Sequence, residues 1–193
     1  MAKGRPRSFD RDDALKRAMM LFWKHGYDAT SLSLLTQAMG IGAPSLYAAF
    51  GDKRALFKEA LNHYMTTYGS FMRAFQDELV PRTAIERMLL EAAVMFTSAD
   101  HPPGCMVITA ATNCAPGSAA VEKRLRTIRA STVLALEEKI ANGRHGVASH
   151  ASARTLALFF SATLQGMSAQ ARDGASREDL EAIARAALRA WPA

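Results

Sequence analysis

Apolar residues along this chain recur with a helical period almost from its start. Leu15, Ala18, Met19 and Phe22 fall at i, i+3, i+4 and i+7 and so share one face. Asp10 precedes the run as an N-cap candidate, with Asp13 three residues on and Phe9 placed as a hydrophobic staple. Gly26 is a stop signal, so the pattern predicts a helix over Arg11–His25. A second, short helix is predicted from a cap at Thr30 or Ser31, through Leu34, Leu35 and Ala38, to Gly40. A third begins near Ala43-Pro44, carries Leu46, Tyr47 and Phe50, and halts at Gly51-Asp52.

From Asp52 or Lys53 the apolar positions Leu56, Phe57, Ala60, Leu61, Tyr64, Met65, Tyr68, Phe71, Met72 and Phe75 predict one long helix of about seven turns, with Gly69 as its weak point. Further helices are expected over about Ala84–Thr97, Ala119–Ala141, Ala153–Arg172 and Arg177–Trp191, the last capped by Ser176 with Asp179 at its third position. A short apolar segment over Cys105–Thr112 lies between the breaks at Ala99–Gly104 and Pro116-Gly117, and Gly143–Gly146 is read as a loop. No stretch alternates as a strand would. The expected fold is all-α with about nine helices.

Composition narrows the class. Hydrophobic residues make up 49% of 193 and charged residues 22%, enough apolar material for a core, which excludes global disorder. No apolar run approaches the roughly 18 residues of a membrane span. The N-terminal MAKGRPRSFD has no apolar run after its charges, so no secretory signal is expected. Two cysteines, Cys105 and Cys114, are too few for a disulfide framework. The expected location is cytoplasmic. Charge is uneven: residues 1–58 hold ten Lys/Arg against five acids, which is most of the net +6. That concentration points to a polyanionic partner.

Two short helices joined by a tight turn at Gly40 have the proportions of a helix-turn-helix. The second opens with small groups, Gly42, Ala43 and Ser45, which suits entry into a major groove. Residues 9–57 resemble the DNA-binding region of the TetR/AcrR family of transcriptional regulators. The resemblance is carried without a gap by Phe22, His25-Gly26-Tyr27, Ala29-Thr30-Ser31, Ala38, Gly40-Ile41, Ser45-Leu46-Tyr47, Phe50, Lys53 and Leu56-Phe57. The run Met39–Pro44 departs from it in placing small residues where many relatives are polar.

The resemblance implies a helix-turn-helix domain over 1–52 with a basic arm, and a helical ligand-binding and dimerisation domain over 53–193. It implies DNA contacts at Ser31, Ser33, Ala43, Ser45, Tyr47 and Lys53, and Lys3, Arg5 and Arg7 as an arm following phosphates or entering the minor groove. Leu35, Ala38, Leu46 and Phe50 are read as core. The implied function is a homodimeric repressor, released from a pseudo-palindromic double-stranded operator by a small-molecule inducer or by thiol modification. Pairing through the last two helices would use Leu156, Phe159, Phe160, Thr163, Leu164, Gly166 and Met167 on one and Leu180, Ile183, Ala187 and Leu188 on the other. An apolar cavity is expected beside the long helix, with Met65, Tyr68, Met72, Met95, Phe96, Met106 and Phe160 as candidate lining. Cys105, expected at a helix start whose dipole favours a thiolate, is a candidate sensor thiol, the alternative being a small buried residue packed at that helix start.

No catalytic residues, cofactor, metal or membrane partner are expected. His101, Cys105 and Cys114 lack a recognised ligand spacing. A small helical enzyme using the cavity is the rival reading, but the five histidines form no acid–base spacing and no phosphate loop or nucleophile elbow is present. A membrane-surface helix is disfavoured by Asp10, Asp12 and Asp13, which anionic lipid would repel.

Overall fold

A computed structural model describes residues 9–112, 114–143 and 150–192. The basic arm residues Lys3, Arg5 and Arg7, and most of the 143–146 loop, lie outside them. The described chain runs α1 Arg11–His25, α2 Leu32–Met39, α3 Ala43–Phe50, α4 Lys53–Tyr68, α5 Ser70–Asp77, α6 Pro81–Phe96, α7 Met106–Thr109, a 3-10 turn at Pro116–Ser118, α8 Ala119–Asn142, α9 His150–Arg172 and α10 Arg177–Leu188. No strand occurs among the described residues.

The first three helices start and stop on local signals. Asp10 accepts from the backbone N–H groups of Asp12 and Asp13 at 2.8 and 3.1 Å, and Ser31 Oγ accepts from Leu34 N–H at 3.1 Å. A cap of this kind contributes about 1 kcal/mol. Gly40 ends α2 in the left-handed region at φ 68°, a conformation that side chains disfavour. Asp52 caps α4 through Ala55 N–H at 2.7 Å. Ser176 and Asp179 form a reciprocal capping box at the start of α10.

The expected seven-turn helix is two helices meeting at Gly69. This residue takes φ −85°, ψ 24°, and a side chain there would put its Cβ 2.3 Å from the Met65 carbonyl oxygen. The ladder restarts as Met72 and Arg73 N–H donate to Gly69 O, while the freed Thr66 carbonyl accepts from Arg73 Nη1 at 3.0 Å. The break raises the α-helix total from the expected nine to ten. Other boundaries also move: α9 opens at His150 rather than Ala153, and α7 takes only Met106–Thr109 of the apolar segment. α6 opens at Pro81, a residue suited to the first turn, and α10 ends at Leu188 rather than Trp191.

One apolar core is continuous through the described chain. α1 buries Ala18, Met19, Phe22 and Trp23 against Leu56, Phe57, Ala60, Leu61 and Tyr64 of α4. The rings of Phe22 and Phe57 meet edge-to-face at 5.1 Å, and those of Trp23 and Tyr64 at 4.7 Å. Farther along, α6 packs on α5, α9 and α10, and α8 packs on α9. Lys139 of α8 donates to the carbonyls of Phe75, Gln76 and Glu78, so a cation closes the C-terminal end of α5.

Candidate functional site

The α2–α3 pair divides cleanly into two faces. Leu35, Met39, Leu46 and Phe50 are buried beneath it, while Ser31, Ser33, Ala43, Ser45 and Tyr47 are exposed. Ala38, read as core, is only half-buried, and Met39 takes the inward position instead. Between the helices Ile41 N–H bonds back to Thr36 O at 3.1 Å, fixing the turn. Gly42 caps α3 without a side chain and Pro44 lies in its first turn, so little stands before the N-terminus of this helix. Tyr47 keeps 49% of its surface exposed, a large ring with no core role.

Several basic groups nearby are already engaged. Arg11 forks onto the Glu59 carboxylate at 2.7 and 2.9 Å, reaches Ala49 O at 3.2 Å and lies 4.4 Å from the Phe50 ring centre. It ties α1 to the end of α3 and the flank of α4. Arg17 pairs with Asp13 at 2.8 Å. Lys53 Nζ lies 4.4 Å over the Tyr27 ring, where partial burial lowers its pKa and Asp28 partly restores it. It still stands at the first position of α4, where the chain leaves α3.

Behind this unit the loop after α1 is bonded to the segment after α7. Tyr27 N–H donates to Ala110 O at 2.8 Å. The Asp28 carboxylate accepts from Ala115 N–H at 2.7 Å and from the Ser118 hydroxyl. The Ser118 bond, followed by the Ala115 bond, holds the Asp28 pKa below its ordinary value. Arg172 of α9 adds a longer contact to Trp23 O at 3.4 Å. Neither Asp28 nor Ser118 stands out in the sequence, since 90 residues separate them and no local pattern joins them.

A cavity of about 460 Å³ opens between α4, α5, α7, α8 and α9. Of the seven candidate lining residues, Met65 and Met72 line it. Phe96, Met106 and Phe160 are fully buried core. Met95 and Tyr68 instead border a separate cleft with His101 and Glu91, and Tyr68 packs edge-on against Trp23 at 5.1 Å. The rest of the wall includes Tyr64 and Phe71 of the periodic apolar face and positions that periodicity does not single out, among them Ile108, Arg129, Thr132 and Gln165.

Cys105 also lines this cavity. It precedes α7, yet the dipole effect expected of a helix start is outweighed. Its thiol is 2% exposed, accepts from Tyr64 Oη at 3.2 Å, and has its pKa raised by burial. A four-residue helix has little dipole to set against that desolvation. Cys114 is half-buried, and burial followed by the Asp28 charge raises its pKa too. Among the described residues no three His, Cys, Asp or Glu side chains converge as a metal site, and no helix is long and apolar enough to cross a membrane.

An exposed helix-turn-helix carried on a larger helical body with an internal cavity defines a DNA-binding regulator of transcription. Residues 14–60 match the family described as bacterial regulatory proteins, tetR family. The chain is 39% identical over 195 aligned residues to the HTH-type transcriptional repressor ComR of Escherichia coli strain K12, covering 99% of this chain and 93% of that one. It is 34% identical to the HTH-type transcriptional repressor BdcR of the same strain, covering 94% and 88%. The fold superposes with a TM-score of 0.91 on a cysteine mutant of the TetR family transcriptional regulator CifR complexed with 26-bp double-strand operator DNA, at 42% identity and covering 97% of this chain and 100% of that one. This chain belongs to the TetR family.

Proposed function

We propose that this chain is a homodimeric repressor that binds a pseudo-palindromic double-stranded operator and leaves it when its cavity is occupied or Cys105 is modified. The observation that carries the reading is the exposed face of α2 and α3, with Ser45 and Tyr47 standing clear of a fully buried inner face. That CifR, similar along nearly the whole chain, is complexed with operator DNA supports the same use here. In this reading residues 1–52 bind DNA and residues 53–193 carry ligand binding and pairing.

Ser45 and Tyr47 meet base edges or a thymine methyl, with Ala43 leaving them room. Ser31, Ser33 and Lys53 engage phosphates, and Lys3, Arg5 and Arg7 extend the contact. Pairing uses the outer strip of α9 formed by Phe159, Ala162, Thr163 and Gly166, none of them buried, whose spacing of i, i+3, i+4 and i+7 makes one face. Phe160, Leu164 and Met167 of the expected face, with Leu180, Ala187 and Leu188 of α10, are instead buried in the chain's own core. Two-fold pairing sets two α3 helices about 34 Å apart, one DNA turn. The protein acts in the cytoplasm, needs no cofactor and catalyses no reaction.

The effector works through differential affinity for two conformations. The cavity wall includes Cys105, Val107 and Ile108. These residues lead directly into Ala110, which holds Tyr27, and then to Ala115 and Ser118, which hold Asp28. Occupation of the cavity therefore bears on the loop that supports α2.

Fluorescence anisotropy against tiled duplexes from DNA flanking its own gene tests the reading, with competitor DNA and near-physiological salt. Tight binding to one tile, weakened by Tyr47→Ala, is the expected result. No binding to any duplex even at low salt overturns it.

A further inference from the structure

The charge inside the cavity is one-sided. Its lining includes Arg73 and Arg129 and not one Asp or Glu. The two arginines differ. Arg73 is exposed at the Gly69 break, with Nη1 on Thr66 O. Arg129 projects from α8, is half-buried, and has Nη1 on Val107 O at 2.8 Å. A guanidinium carries five N–H donors, and that carbonyl takes one of them. Among the described residues no carboxylate lies within ion-pair distance of Arg129. Glu122, a carboxylate whose charge reaches it, is paired with Arg126 at 2.8 Å.

A partly desolvated cation without a counter-ion is unfavourable, and a ligand that buries it further without pairing it makes matters worse. A carboxylate reverses this, because it accepts two parallel N–H bonds from one guanidinium. The remaining wall sets the other half of the ligand. Met65, Met72, Ile108, Ile128 and Leu164 are apolar and, in the methionines, adaptable. Much of the polar lining is engaged within the protein: Gln165 donates to Ser161 Oγ, Thr132 donates to Ile128 O and Tyr64 donates to Cys105 Sγ.

We propose that the cavity binds a small organic acid, its carboxylate on Arg129 and its apolar body between Met65, Met72, Ile108 and Leu164. This names the effector class and rests on reading the cavity as the effector site. The same geometry predicts an order among head groups on one skeleton. An acid binds best, an alcohol leaves the guanidinium unpaired, and an amine meets a positive field.

The test is isothermal titration of the full chain, without DNA, with octanoate, 1-octanol and octylamine. Octanoate should bind about tenfold or more tightly than octanol, the size of one charge-assisted pair, and octylamine more weakly than either. Arg129→Gln should erase the preference for acid over alcohol while octanol binding persists, and Arg129→Lys should keep part of it. Arg73→Gln, at the exposed rim, should shift octanoate binding less than about twofold, as an exposed charge does. Equal affinity for octanoate and octanol, tighter binding of octylamine, or no binding by any of the three overturns the proposal. So does an acid preference that survives Arg129→Gln. If that variant fails to fold, the head-group order in the unaltered protein together with Arg129→Lys decides.

Operator anisotropy with saturating octanoate is read separately. Acid-selective binding that leaves operator affinity unchanged would defeat the effector-site reading and leave the ligand class standing.

Discussion

The helix-turn-helix unit and the cavity behind it are built from different kinds of information. In the first, each boundary is set within a few residues: Asp10, Ser31 and Asp52 start helices through their own side chains, and Gly40 ends one by its positive φ. In the second, the wall is assembled from five helices spread between residues 64 and 165. A unit specified locally can be read from spacing, whereas a cavity is what remains after distant elements have packed. The contrast also bears on evolution of function, because the wall can change residue by residue while the reading head keeps its shape.

The largest expected effect asks whether the two regions are separate at all. Phe22 is fully buried between them, edge-to-face with Phe57 and 6.0 Å from the Tyr27 ring. Phe22→Ala should remove about 3–5 kcal/mol of stability. Because the core is continuous, urea melts followed by helical circular dichroism and by tryptophan fluorescence should stay superimposed in the variant. An early separate loss of helicity would mean that the N-terminal unit unfolds by itself, and the division would then be thermodynamic as well as functional.

Tyr47→Ala sharpens the comparison from the other side. The ring is half exposed, so melting should move by less than about 0.5 kcal/mol, as surface changes usually do. Operator affinity should fall by about 1–3 kcal/mol if the ring reads a base. A loss of stability with unchanged DNA affinity would assign Tyr47 to packing.

The fold is legible in the sequence to different depths, and for one physical reason. The start of α1 at the Asp10 cap and the Ser176–Asp179 box follow from side chains reaching two or three residues along the chain, and the limits of α3 from Gly42, Pro44 and Gly51 beside it. The break at Gly69 shows in the sequence as a weak point but not as a bend, since what fixes it is the close approach of the Met65 carbonyl and the Arg73 side chain on Thr66 O. For the cavity, methionine and aromatic spacing picks out Met65 and Met72, which border it. It does not separate them from Phe96, Met106 and Phe160, because a helical apolar face looks the same whether it meets a neighbour or a void. Arg129 carries no signal of its own, because a basic residue on a long helix ordinarily faces solvent.

Gly69→Ala tests the bend directly. Alanine favours helix over glycine by about 1 kcal/mol, but its Cβ must move away from the Met65 oxygen. The two effects oppose, and the contact at 2.3 Å is backbone that cannot swing aside. The variant should lose about 1–2 kcal/mol and bind cavity ligands more weakly, since Met65 and Gly69 both border the space. Increased stability with unchanged ligand binding would show that α4 and α5 straighten freely.

The smallest effect concerns the bond between the regions. Asp28 accepts from Ala115 N–H and the Ser118 hydroxyl, and these bonds hold its folded-state pKa below the unfolded one. The sign follows from proton linkage. The carboxylate form is favoured by folding, so its contribution is fully present above the unfolded pKa and fades as pH falls through the folded one. Asp28 is largely exposed, which limits the contribution to about 1 kcal/mol or less. Asp28→Asn should therefore lower stability slightly at neutral pH, and the difference from the unaltered protein should shrink toward acid pH. Its larger consequence falls on coupling. If this contact carries the state of the cavity to the loop under α2, the variant should bind ligand and operator nearly as before while each weakens the other less. Unaltered coupling in both Asp28→Asn and Ser118→Ala would shift the transmission to the Tyr27 N–H bond on Ala110 O or to the α1–α4 packing of Phe22, Phe57 and Tyr64.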